Sequence, residues 1–78
     1  MLSMKEVEVI KALAEGPLKP NELYSKLGAH TESQQANLRK VIKRLRDKGL
    51  IMKIPKSNLY VLTGKGMKMV ECIRILEE

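Results

Sequence analysis

The stretch from Thr31 to Ile51, TESQQANLRKVIKRLRDKGLI, combines a helix-start signal, an apolar stripe and most of the chain's excess charge. Leu38, Val41, Ile42 and Leu45 recur at i, i+3, i+4 and i+7, the spacing that gathers apolar side chains on one face of an α-helix. Between Thr31 and Gly49 six basic residues (Arg39, Lys40, Lys43, Arg44, Arg46, Lys48) stand against two acidic ones (Glu32, Asp47), a net +4 of the formal +6. Burial of the leucine side therefore turns the cations outward. At about 100° per residue, the side most nearly opposite holds Ser33, Ala36, Lys40 and Lys43, with Asn37 and Arg44 on one flank and Arg39 on the other. Small side chains let a helix end approach a base edge, and longer cations further along reach phosphates. Taken alone, an ordinary solvated face explains such a helix equally well.

The segments on either side decide between these readings. Upstream, Thr31 and Gln34 form a T-x-x-Q capping box, and Gly28 is placed as the left-handed cap of a preceding short helix that opens at Pro20 and carries Leu23 and Leu27 inward. Two helices joined by a tight Gly-containing turn make a helix-turn-helix, here spanning 20–48. Further upstream, Ser3 and Glu6 cap a first helix over about Met4 to Glu15, with Val7, Ile10, Leu13 and Ala14 inward and Gly16-Pro17 as its stop. Leu18, held between Pro17 and Pro20, is placed to add a brief third strand to a small sheet.

Downstream of Gly49, Leu50 to Ile54 and Leu59 to Leu62 read as two strands around a Pro55-Lys56-Ser57-Asn58 tip, a hairpin that leaves Lys53 and Lys56 free. Thr63 caps a last helix, with Gly64 and Gly66 permitting close approach to the strand before it. Its apolar content, Met67, Met69, Val70, Cys72, Ile73, Ile75 and Leu76, exceeds one narrow stripe. Met69, Cys72, Ile73 and Leu76 are expected to turn toward the core, leaving Ile75, and with it Met67 or Val70, in want of cover by a second subunit. The expected dimer surface lies on this helix at Met69, Cys72, Ile75 and Leu76.

Seventy-eight residues make a single domain, 1–78, near the size at which a partner subunit helps stability. A pI near 9.7 favours a polyanionic partner. With no Phe or Trp and only two Tyr, little is available for stacking on single strands, which favours duplex DNA. The lone Cys72 and lone His30 offer no metal-ligand spacing, and Cys72 is expected as a small buried residue and His30 as a surface turn residue. Met4, Met52, Met67 and Met69 are expected as core or interface filler, and Tyr24 and Tyr60 at the edge of a core. No apolar run approaches a membrane span and no leader pattern opens the chain, so a cytoplasmic location is expected. Enzyme chemistry finds no foothold. No nucleophile has a base in motif spacing, no carboxylates are paired for acid-base work, and Gly64-Lys65-Gly66 lacks both the upstream glycine and the Ser or Thr of a phosphate loop.

RKVIKRLRDKGLI (39–51) followed by YVLTGKG (60–66) resembles the winged helix-turn-helix of small prokaryotic transcription regulators of the MarR, PadR and ArsR type. The likeness runs from Val7 to Val70. It is carried by the leucine, charged residues and Gly-Leu-Ile of Leu45 to Ile51, and by the Leu-Thr-x-x-Gly of Leu62 to Gly66. It implies an α+β, mainly helical fold with a three-helix core, a two- to three-stranded wing at 50–62 and a C-terminal helix at 64–77. It also implies that the third helix enters a major groove, that the wing near Lys56 meets the backbone, and that the protein acts as a homodimer. The chain departs from the MarR pattern in its short wing, which lacks an Asp-x-Arg tip, and in having no long extra dimerisation helices.

The sequence thus predicts a sequence-specific double-stranded DNA-binding transcription regulator, with no cofactor, metal or membrane partner. Base contacts are assigned to Ser33, Ala36, Asn37 and Lys40, where Asn37 suits adenine and Lys40 suits guanine. Phosphate contacts are assigned to Arg39, Lys43, Arg44, Lys53 and Lys56. Two alternatives stand beside this: a winged-helix module that docks into a larger protein assembly through its last helix, and a non-specific architectural or RNA-binding protein.

Overall fold

The computed structural model describes residues 2–77. Helices α1 (Met4–Ala14), α2 (Pro20–Lys26) and α3 (Glu32–Asp47) are followed by strands β1 (Ile51–Ile54) and β2 (Leu59–Leu62) and by helix α4 (Gly64–Glu77). This is an α+β winged helix-turn-helix. Helix α1 is the hub, touching α2, α3, α4 and β2. Its inward face carries Glu6, Val9, Ile10 and Leu13, all buried, at the i, i+3, i+4, i+7 spacing. The core closes around Val9, Ile10, Leu23 and Leu45, each fully buried.

Reciprocal capping boxes opened by Ser3 and Thr31 start α1 and α3. The Glu6 N–H donates to Ser3 Oγ at 3.2 Å while Glu6 Oε1 accepts from the Ser3 N–H at 3.0 Å. At α3 the Gln34 N–H donates to Thr31 Oγ1 at 3.1 Å, and Gln34 Oε1 accepts from the N–H groups of His30 and Thr31. Gly28, at φ +71°, makes the turn between α2 and α3 in a region closed to most side chains.

Helix α3 ends in a Schellman motif. The Leu50 N–H donates to the Leu45 carbonyl at 3.0 Å and the Gly49 N–H to the Arg46 carbonyl at 2.9 Å, with Gly49 at φ +74°. The chain leaves this turn into the wing, where β1 and β2 pair antiparallel with Ile51 opposite Leu62 and Lys53 opposite Tyr60. Leu18 adds a single antiparallel bridge on the outer side of β2, exchanging both backbone hydrogen bonds with Tyr60. The third strand is thus one residue long.

The two motifs that carry the resemblance interlock here. Thr63 Oγ1 donates to the Gly49 carbonyl at 2.6 Å and accepts from the Gly66 N–H at 3.1 Å, capping α4 against the end of α3. The Thr63 N–H donates to the Leu50 carbonyl, and a Cβ on Gly66 would lie 2.1 Å from that same oxygen. Only hydrogen fits. Gly64, expected to share this role, faces open space.

That close approach fixes the rotation of α4 and corrects the expected inward face. Gly66, Val70 and Ile73 are its buried residues, Met69 is half-buried, and Cys72 and Leu76 are exposed. Cys72 is therefore not a core residue. Of the methionines, Met69 packs against the core, while Met4, Met52 and Met67 are exposed. Tyr24 is half-buried at the edge of the core, as expected, and Tyr60 is buried within it.

Among the described residues one charge is buried. Glu6 is 4 % exposed, and its Oε2 accepts a hydrogen bond from Lys48 Nζ at 2.7 Å, joining the start of α1 to the end of α3. The Lys48 ammonium, with the Ser3 donors assisting against desolvation, holds the carboxyl down at about 2.

Candidate nucleic-acid interface

With Leu38, Val41, Ile42 and Leu45 buried, α3 turns its opposite side outward. Ser33, Asn37 and Lys40 are exposed and Ala36 is half-buried. Asn37 lies toward α1, on a small hollow of about 200 Å³ that it shares with Lys5, Gly28 and Gln34. Arg39, Lys43 and Arg44 are exposed on the same helix, and Lys53 and Lys56 on the wing.

The proposed phosphate ligands differ in their availability. Arg39 Nη2 donates to Glu32 Oε1 at 2.8 Å, and Lys43 Nζ to Asp47 Oδ2 at 3.2 Å. The Tyr24 hydroxyl and then the Glu32 carboxylate push the Arg39 pKa upward. Both pairs are solvent-exposed, where water screens them and they contribute little. They yield readily to a stronger anion. Among the described residues Lys40, Arg44, Lys53 and Lys56 form no ion pair. The Lys53 ammonium stands over the Tyr60 ring, 5.8 Å from its centroid.

Arg46 belongs with this set, although the helical wheel of α3 alone does not single it out. It is exposed, makes no ion pair among the described residues, and lines a hollow of about 350 Å³ together with Lys53, Ile54, Pro55, Lys56 and Asn58. The hairpin folds back beside the last turn of α3 and brings these cations together. Its turn is tight: the Ser57 hydroxyl donates to the Ile54 carbonyl at 3.2 Å, and Lys56 and Asn58 take left-handed φ values of 72° and 57°.

Helix α4 exposes Met67, Ile75 and Leu76, with Ile75 70 % and Leu76 85 % exposed. Met69, Cys72 and Leu76 border an apolar hollow of about 560 Å³ shared with Leu2 and Val7 of the N-terminal segment. Among the described residues no group of His, Cys, Asp and Glu is arranged to hold a metal ion, and no helix is long and apolar enough to cross a membrane.

No family model and no curated protein matches the chain. Among solved structures, the reduced form of the transcriptional regulator YodB from B. subtilis is similar to it, with a TM-score of 0.79 at 19% sequence identity. The match covers 96% of this chain and 76% of that one. At that identity the likeness is one of fold, and it extends over α1 to α4.

Proposed function

We propose that the protein is a sequence-specific double-stranded DNA-binding transcription regulator acting as a homodimer. The observation that carries this reading is the front of α3. Ser33, Asn37, Lys40 and Arg44 are open to solvent on a helix whose back is locked into the core, with a cationic hairpin at its end. A structural neighbour that is a transcriptional regulator supports the same reading. On this reading the stretch of α3 from Ser33 to Arg44 lies in a major groove, where Ser33, Ala36, Asn37 and Lys40 meet base edges. Arg44, Lys53 and Lys56 bind phosphates, and Arg39 and Lys43 exchange their exposed carboxylate partners for phosphate oxygens.

Charge supplies affinity and the helix front supplies discrimination. The dimer surface is assigned to α4, where Met69, Cys72, Ile75 and Leu76 leave apolar surface uncovered. The same exposed surface favours a second reading, a module that docks on another protein and leaves DNA alone.

Selection from a random duplex library tests the proposal. Recovery of a two-fold motif, bound about 10³-fold or more tightly than random duplex, is expected. Equal affinity for all duplexes points instead to an architectural protein, and no mobility shift across a salt series points to the docking module.

A further inference from the structure

We infer that Glu32 is a specificity-determining residue, its carboxylate accepting a hydrogen bond from the N4 amino group of one cytosine in each half-site. This rests on the proposed DNA-binding function and deepens it. At about 100° per residue, Glu32 lies roughly 130° from the middle of the buried stripe of α3, the same angle as Ser33 on the opposite flank. The outward side of a cationic helix therefore carries an acid. Glu32 is the first residue of α3 and its side chain is 79% exposed, and a recognition helix reads base edges with its N-terminal residues.

The longer polar side chains beside it are already committed to backbone. Gln34 Oε1 accepts from the His30 and Thr31 N–H groups, and Gln35 Nε2 donates to the Ala29 carbonyl at 3.2 Å. Neither glutamine is free to read a base. Glu32 instead holds Arg39 Nη2 at 2.8 Å, in an exposed pair that water screens. Arg39 also faces the Tyr24 hydroxyl of α2, so it keeps a partner when it leaves the carboxylate for a phosphate. The carboxylate is then left facing the bases.

A carboxylate in a groove walled by phosphates is repelled unless the base edge opposite it offers a donor with no acceptor alongside. Cytosine alone does so, through its N4 amino group. Guanine presents the acceptors N7 and O6, thymine presents O4, and in adenine the N7 acceptor stands beside the N6 donor. Glu32 thus selects partly by rejection: it lowers affinity for duplex in general and spares the sites that place cytosine opposite it. A plainer role exists for an acid here, since a negative charge in the first turn stabilises the positive end of the helix dipole. That role carries no base preference.

The full-length parent, Glu32→Gln and Glu32→Ala chains are each used to select from a random duplex library. The position at which the recovered motifs differ is then varied through all four bases and read by competition fluorescence anisotropy. The parent is expected to prefer cytosine there by about fivefold or more, the lower bound for one mismatched pair. Glu32→Gln, whose amide pairs with adenine N6 and N7, is expected to move the preference to adenine, and Glu32→Ala to show none. Both variants are expected to bind random duplex more tightly than the parent, because each removes a negative charge from the groove. Both retain the capping box of Thr31 and Gln34, and thermal melting verifies that each is folded in the assay.

Identical motifs from all three chains overturn the assignment of Glu32 and leave the DNA-binding function standing. So does a uniform change of affinity with no change of base preference, the signature of the helix-dipole role, and so does a parent preference for any base other than cytosine at the altered position. No motif from the parent chain overturns both.

Discussion

Glu6→Gln keeps the shape of the side chain at the start of α1 and removes the charge that Lys48 answers. The contact is a charge-assisted hydrogen bond of 2.7 Å to a carboxylate that is 4 % exposed. Such bonds contribute about 1.5–3 kcal/mol. The Lys48 side chain is 44% exposed, and water weakens its half of the pair, which puts the expected loss toward the lower end, about 1.5–2 kcal/mol. For a domain of this size that is a fall in Tm on the order of 10 °C at neutral pH. The pH dependence carries the sharper test. Because Lys48 holds the Glu6 carboxyl below its ordinary 4.5, at about 2, its contribution is fully present above the unfolded value. It declines as pH falls from about 4.5 to about 2 and is gone below that. Thermal or urea unfolding of the parent and Glu6→Gln chains across pH 2–7 reads the difference directly, and titration of the other carboxylates cancels from it. Lys48→Met strands a buried carboxylate, so adding Glu6→Gln to it is expected to restore stability. A gap between parent and Glu6→Gln that stays constant from pH 7 to pH 2 would refute the ion-pair reasoning.

Gly66→Ala forces a Cβ to within 2.1 Å of the Leu50 carbonyl oxygen, and the backbone of α4 or of the wing root must shift. A loss of about 3 kcal/mol, seen in chemical denaturation, is expected. Thr63→Val removes both the hydrogen bond to the Gly49 carbonyl and the cap on the Gly66 N–H. A loss of about 2–3 kcal/mol in the same assay is expected, and a loss under 0.5 kcal/mol would count against the seam. Ile75→Lys with Leu76→Lys, at exposed positions, is expected to leave the monomer fold intact and to abolish self-association in sedimentation; an unchanged dimer would move its surface away from α4.

Much of the fold is legible because its signals are local. The boxes at Ser3–Glu6 and Thr31–Gln34, the left-handed glycines at 28 and 49 and the stripe of α3 each concern residues within a few positions of one another. Helix α4 shows where local signals end. Apolar residues surround it, so periodicity defines no unique inward direction. Its rotation is set instead by the contact of Gly66 with a carbonyl sixteen residues earlier in the chain, which sends Val70 inward and Cys72 out. The candidate interface divides in the same way. The open front of α3 follows from its stripe. The grouping of Arg46 with Lys53 and Lys56 depends on how the hairpin folds back. That Glu32 engages Arg39 is equally a matter of the folded side chains.

Under the proposed function the stitch at Thr63 has a mechanical meaning. With the end of α3, the root of the hairpin and the first turn of α4 tied through a few backbone atoms, no slack separates the part that would touch a duplex from the part that would touch a twin subunit. Two such bodies, if joined through α4 as proposed, would behave as a rigid caliper of fixed opening. Target sites with altered spacing must then be accommodated by bending of the duplex, and binding should fall off steeply with each inserted base pair.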